Sequence, residues 1–240
     1  MGEMAYGAPQ VEPTEISCHS IDGAIFDCDG TLLDSIGAWL ATQDELASRA
    51  GAVLTYEETT HVSALTLPET AAFFHERYGL GASSEEVLGM IDYFMAAHYQ
   101  EDISARPGAL EFVRMLHGRG IKCSVASSTS QPLLRIALTV TGFMPYLDAV
   151  VSVDDVGISK REPAVYDRAC ELMGTPKEST WVFEDSVYAL NTLVKANYHT
   201  VGVYDRDISG TPEELSIADF VIQSFKDTTQ KEFTTLFYGI

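Results

Sequence analysis

Ala24-Ile25-Phe26-Asp27-Cys28-Asp29-Gly30-Thr31 is the stretch from which the architecture can be read. A short apolar run meets two carboxylates and a glycine, as expected of a buried strand that stops abruptly at a turn. Side chains alternate across a strand, so Asp27 and Asp29 are expected on one side of it. A strand apolar on both faces belongs to a parallel sheet covered by helices. Ligands of such sheets gather beyond the carboxyl ends of the strands, where this pair of acids stands. Taken alone, the same residues also describe a simple turn, because Asp and Gly both favour turns.

Outward from this stretch, short apolar runs alternate with longer amphipathic ones. The candidate strands are AIFD, KCSVAS, AVVSV, WVFE, TVGV and DFVI. Between them lie helical patterns near Ala109 to His117, Pro132 to Thr141, Pro163 to Met173 and Val187 to Ala196, each long enough for a crossover between parallel strands. The alternation predicts an α/β fold with a doubly wound parallel sheet. It is interrupted between Asp34 and Ser104, where the pattern is helical throughout, as in Val87, Met90, Ile91, Phe94, Met95 and His98. This predicts an inserted α-helical domain over 34–104, an α/β core over 21–33 and 105–240, and a flexible tail over 1–20. The edges, Asp34-Ser35 and Ser104 to Gly108, suit two linkers at a hinge.

Three further strand ends carry polar groups. KCSVA leads into Ser127, Ser128 and Thr129, whose hydroxyls and backbone N–H groups next to a helix start could hold phosphoryl oxygens. AVVSV leads into a loop with Lys160, a candidate to neutralise a phosphoryl group, although its neighbour Arg161 could serve as well. WVFE ends at Glu184, followed by Asp185, and paired acids there suit a hard cation such as Mg2+. Each feature also has a plain structural reading: a helix cap for the serines and the acids, a solvated surface residue for Lys160.

The chain has 240 residues, 46% of them hydrophobic, which is ample for a large core. With 15 Lys and Arg against 35 Asp and Glu, its formal net charge of −20 repels nucleic acid and anionic membrane surfaces. Cys18, Cys28, Cys123 and Cys170 lack metal-site spacing and read as reduced core thiols. The absence of a long apolar run or a basic leader makes a cytoplasmic protein the expectation. A monomer is the default, with a dimer as the alternative.

In order and spacing, DCDGTLLDS, RPGALEFVRMLHGRGIKCSVASST, KREPAVY and VFEDS, followed by ADFVIQSF, resemble the haloacid dehalogenase (HAD) superfamily. The resemblance runs from Ile21 to Phe225 and is to the phosphatase and beta-phosphoglucomutase-like branch, with a Rossmann-like core and a helical cap after the first strand. It implies Asp27 as nucleophile, Asp29 as general acid/base, and Ser127, Ser128 and Lys160 as phosphate-binding residues. It further implies Mg2+ among Asp27, Asp29, Asp185 and Glu184, with Asp185 a direct ligand and Glu184 supporting it. The implied reaction is hydrolysis of a small-molecule phosphate ester through an aspartyl phosphate.

Within that family, dehalogenases lack the second aspartate and need no metal, whereas this chain has Asp29 and the Glu184-Asp185 pair. Phosphonate-cleaving relatives use a cap lysine, yet the first lysine here is Lys122. A sugar phosphomutase should place a cation in the cap; between Arg49 and Arg77 there is no Lys or Arg, and the expected specificity loop, Thr59 to Thr70, offers only His61. The mutase is therefore the runner-up, and a non-catalytic binding module a further alternative. The sequence departs from the family pattern at Arg161, where a proline is usual, at Ala189, Thr192 and Leu193 downstream of EDS, and at Asn197, where a glycine usually ends the helix. Asn tolerates the left-handed conformation that such a helix end requires.

Overall fold

The computed structural model describes residues 21–63, 65–205, 211–227 and 230–239. The expected tail over 1–20, and with it Cys18, lies outside the described residues. In chain order the elements are β1 (Gly23–Phe26), β2 (Leu33–Asp34), α1 (Ile36–Arg49), α2 (Tyr56–Ser63), α3 (Leu67–Tyr78), α4 (Ser84–Glu101), β3 (Ser104–Ala105), α5 (Ala109–Gly118), β4 (Lys122–Ser127), α6 (Gln131–Val140), β5 (Ala149–Ser152), α7 (Ala164–Met173), β6 (Thr180–Glu184), α8 (Val187–Lys195), β7 (His199–Val203), α9 (Pro212–Leu215), β8 (Phe220–Ile222) and α10 (Lys231–Tyr238).

Six strands form one sheet in the order β5-β4-β1-β6-β7-β8, and every pairing is parallel. The chain builds outward from β1 through β4 to β5, then crosses back to β6 on the other side of β1. The order therefore reverses around β1, and the crevice at such a reversal is where open α/β sheets bind ligands. Each predicted strand is present, with bounds shifted by no more than a residue at either end.

Alternation along each strand builds the two faces. Ala24, Phe26, Cys123, Val125, Trp181 and Phe183 point to a core completed by Phe112 of α5, Phe225, and Phe233 and Phe237 of α10. Phe26 stacks on Phe183 with ring centroids 4.7 Å apart. Ile25, Ala126, Val151 and Val182 point the other way, onto Val165, Tyr166 and Ala169 of α7 and Leu190 and Leu193 of α8. Burying both faces explains why the strands read as continuous apolar runs. The departure at Ala189 and Leu193 is accommodated, since both are fully buried against the sheet. Asn197, just beyond α8, has φ 58, the left-handed conformation expected of it.

Helices α1 to α4 follow one another without a sheet strand between them. Helix α3 begins with a capping box between Thr66 and Glu69 and ends at Gly79 in the left-handed conformation. The chain enters and leaves this helical segment through an antiparallel pair, β2 beside β3, in which Leu33 faces Ala105 and Asp34 faces Ser104. Arg106 secures the crossing: its backbone N–H donates to Leu32 O at 2.8 Å, and its guanidinium donates to Gly30 O at 2.9 Å and Asp205 at 2.8 Å. Among the described residues, no helix is long and apolar enough to cross a membrane, and Cys28, Cys123 and Cys170 are free, buried thiols.

Candidate active site

β1 ends at Phe26, so Asp27 and Asp29 lie beyond the strand. Strand alternation alone therefore does not orient them. The turn does so instead: the N–H groups of Leu32 and Leu33 donate to Cys28 O, and Gly30, at φ 85, donates to Leu33 O at 2.9 Å. A side chain at Gly30 would strain that conformation. Asp27 N–H donates to Phe183 O at 2.9 Å, continuing the sheet register so that Asp27 stands beside Glu184 at the end of β6.

Lys160 comes into this position from the loop before α7. Its ammonium hydrogen-bonds Asp27 Oδ1 and donates to Glu184 Oε2 at 2.7 Å, and its side chain is only 2% exposed. This is not the solvated lysine that the isolated sequence suggests. Arg161 lies instead over Tyr188, its guanidinium 5.6 Å from the ring centre. Glu184 is saturated: Oε2 also accepts from Tyr166 Oη at 3.0 Å, while Oε1 accepts from Ser186 N–H at 3.3 Å and its hydroxyl at 3.2 Å. Asp185 is contacted by Thr31 Oγ1 at 3.4 Å.

Asp27, Glu184 and Asp185 each place a carboxylate oxygen within 4.8 Å of the others, and all three residues are buried. Three acids sharing one ammonium leave an excess of negative charge in a water-poor setting. Asp27 is accordingly pushed up to about 7, by burial first and then by Glu184, against the opposing pull of Lys160. Burial, then Asp27 and Glu184, hold Asp185 well above the usual carboxylate range. Burial alone would lower the Lys160 ammonium, but Asp27 and Glu184 outweigh it and keep the group charged. This donor set of hard oxygens with unbalanced charge fits Mg2+. Both Glu184 oxygens are already engaged, whereas Asp27 and Asp185 each keep an oxygen with which to reach a cation, and Glu184 holds the lysine against Asp27.

Asp29 is placed differently from the expectation that it joins the other acids around a metal: its carboxylate is not in the three-acid group. It accepts instead from Tyr99 Oη at 2.5 Å and from Thr129 Oγ1 at 2.7 Å. Ser127, at the end of β4, is buried, and its Oγ accepts from Thr129 N–H at 3.1 Å, which leaves its own proton to donate. Ser128 is half-buried beside the Tyr188 hydroxyl. The structure thus gathers Asp27, Lys160, Glu184 and Asp185 into one cluster, with Asp29 and Thr129 close by. The sequence reading did not single out Tyr99, Tyr166 or Thr31. Tyr99 continues the stripe of Val87, Ile91 and Met95 at helical spacing, which predicts burial but not its polar partner.

The model of the haloacid dehalogenase-like hydrolase family matches residues 24–203. Among individual proteins, the chain is 27% identical over 212 residues to (S)-2-haloacid dehalogenase 4A of Burkholderia cepacia, covering 83% of this chain and 88% of that one. It is 26% identical over 217 residues to hexitol phosphatase A of Escherichia coli K12, covering 86% and 93%. Its fold is similar to that of CbbY from Rhodobacter sphaeroides, solved in complex with phosphate, with a TM-score of 0.77 and 22% identity over 88% of this chain and 98% of that one.

Proposed function

This chain belongs to the haloacid dehalogenase-like hydrolase family, and from that premise we propose that it is a Mg2+-dependent phosphatase of a small phosphorylated metabolite. The observation that carries this reading is the division of labour between two acids in one turn. Asp27 is held by Lys160 beside Glu184 and Asp185, and Asp29 is held by two hydroxyls.

In this reading a carboxylate oxygen of Asp27 attacks phosphorus in line, and the bond to the leaving oxygen breaks as Asp29 donates a proton to it. Water then attacks the aspartyl phosphate at phosphorus, Asp29 takes its proton, and phosphate leaves with Asp27 restored. Lys160, buried and charged, offsets the negative charge that would otherwise repel attack by a carboxylate. Ser127 Oγ, Ser128 and the backbone N–H groups leading into α6 hold the phosphoryl oxygens. Mg2+, held by Asp27 and Asp185, supplies further neutralisation of phosphoryl charge when bound. The segment α1 to α4 serves as a cap over the site, with the β2–β3 pair as its hinge, and shields Asp29 from solvent.

The haloacid dehalogenase relative raises a competing chemistry. A halide leaves without a proton, so dehalogenation would give Asp29 no acid to supply, nor the excess of buried carboxylate any cation to hold. The phosphomutase reading needs a cation facing the core from the cap. Arg49 instead bridges Glu45 at 3.2 Å and lies over the Phe94 ring, Arg77 bridges Glu58 at 3.4 Å, and His61 packs against Phe73. A binding module without turnover would have no need for Lys160 to be buried against a nucleophile.

The test is release of inorganic phosphate from hexitol phosphates, hexose phosphates and pyrophosphate, with Mg2+ and with chelator, for wild type and Asp27→Asn. Mg2+-dependent release that vanishes in Asp27→Asn is the expected result. Halide release from 2-chloropropionate without metal, or isomerisation of a hexose phosphate with no phosphate released, would overturn the reading.

A further inference from the structure

Tyr99 belongs to none of the loops at the strand ends. It lies near the C-terminus of α4, fully buried, and its phenol donates to Asp29 Oδ1 at 2.5 Å from 70 positions away in the sequence. Thr129 Oγ1 donates to the other oxygen, Oδ2, at 2.7 Å. One donor on each oxygen fixes the plane of a carboxylate as well as its location, whereas a single donor leaves it free to rotate. The two donors come from separate parts of the chain, Thr129 from the loop after β4 and Tyr99 from the helical segment.

Packing alone does not account for this tyrosine. The positions preceding it on the buried stripe, Val87, Ile91 and Met95, are apolar, and a phenylalanine would continue the stripe without a hydroxyl that needs a partner. Contact between α4 and the loop after β4 is not confined to this residue. Ser130 Oγ donates to Asp92 Oδ1 at 3.4 Å, and Asp92 lies two turns before Tyr99 on the same side of the helix. Helix α4 therefore lies along the loop that carries Thr129, and Tyr99 reaches past it to the acid.

We propose that Tyr99 is a positioning residue for Asp29: its hydroxyl, paired with that of Thr129, orients the carboxylate for proton transfer to the leaving oxygen, so that the helical segment takes part in assembling the acid/base. This rests on the reading of Asp29 as the group that protonates the leaving oxygen. Removing the hydroxyl leaves Asp29 held at one oxygen and lowers the fraction of time it is aimed correctly. The loss depends on the leaving group, because an alkoxide needs the proton and a nitrophenolate does not.

The experiment compares Tyr99→Phe, Asp29→Asn and wild type on two esters, the alkyl phosphate that ranks first in the panel above and 4-nitrophenyl phosphate, using kcat/KM, which reports the leaving-group step. For Tyr99→Phe, kcat/KM on the alkyl ester is expected to fall about tenfold and on the nitrophenyl ester less than about threefold, with an unchanged melting temperature. Equal losses on both esters, or none, while Asp29→Asn shows the selective loss, would make Tyr99 a packing residue only and overturn the proposal, leaving the phosphatase reading intact. Failure of Asp29→Asn itself to discriminate between the esters would remove the acid/base assignment and the proposal with it. If Tyr99→Phe does not fold, 3-fluorotyrosine at position 99 keeps the shape and alters the donor. A change confined to the alkyl ester then supports the proposal, and no change on either ester overturns it.

Discussion

Lys160 Nζ and Glu184 Oε2 lie 2.7 Å apart beneath the nucleophile candidate, both side chains all but inaccessible to water. The ammonium is shared with Asp27, so the pair is the electrostatic floor of the site rather than an isolated ion pair.

Breaking such a floor from one side strands buried charge. Lys160→Met is therefore expected to cost about 3–5 kcal/mol of stability as well as activity, because Glu184 and Asp27 lose the ammonium they share. Urea unfolding of the variant checks this. A loss under about 1 kcal/mol would mean that the acids are neutralised in some other way.

Cation binding to the three-acid group should be visible without turnover. Mg2+ at a hundredfold excess over its Kd is expected to stabilise the fold by about 2.7 kcal/mol. Asp185→Asn should fold but lose most of that gain. Thermal melts with Mg2+ and with chelator measure it, and an identical Mg2+ shift in the variant would remove Asp185 from the site.

Asp148 ties the start of β4 to the approach to β5, accepting from Lys122 Nζ at 2.7 Å and Cys123 N–H at 3.0 Å. Burial pushes its carboxyl up, but those two donors outweigh burial and hold it below the usual carboxylate range. A folded pKa below the unfolded value means that its stabilisation is complete above the ordinary Asp value of about 3.9 and is lost as pH falls through the folded value. With Lys122 half-exposed, the effect is screened, so Asp148→Asn should cost about 0.5–1 kcal/mol at neutral pH, a gap that closes below about pH 4. Urea titrations at both pH values report it; a gap that widens in acid would refute the assignment.

Asn197 holds φ 58 at the end of α8. Asn197→Ala should cost about 1 kcal/mol, because alanine keeps the Cβ in that conformation but loses the short polar side chain that makes asparagine tolerant of it, while Asn197→Gly, which removes the Cβ, should be neutral or mildly stabilising. Paired urea melts decide the matter, and equal stability of the alanine and glycine variants would count against backbone strain.

Much of this protein is legible in its sequence. A strand buried on both faces leaves a continuous apolar run, so β1, β4, β6 and β7 could be located from composition. The crossover helices could be located from their period, and Asp27, Glu184 and Asp185 from their places at strand ends, with Lys160 only as one cation of the long loop after β5. These are local properties, set by a few consecutive residues and by the sheet register that follows from them. Strand alternation was the wrong reason for the placement of Asp27 and Asp29, since β1 stops at Phe26 and the turn at Gly30 takes over.

What remained hidden depended on side chains distant in sequence. Nothing around Lys160 distinguishes a buried ammonium from a solvated one until β1 and β6 bring Asp27 and Glu184 against it. Tyr99 reads as one more apolar position of α4, because helical period encodes which face is buried and not what the far end of a side chain meets. The sequence by itself determined the order of strands and helices and which strand ends carry acids, since both follow from short-range pattern. Only the tertiary structure decided that Asp29 is held by Tyr99 and Thr129, its carboxylate outside the three-acid group. A hydrogen bond is made between atoms a few ångströms apart in space, and a separation of 70 positions in the chain leaves no periodic trace of it.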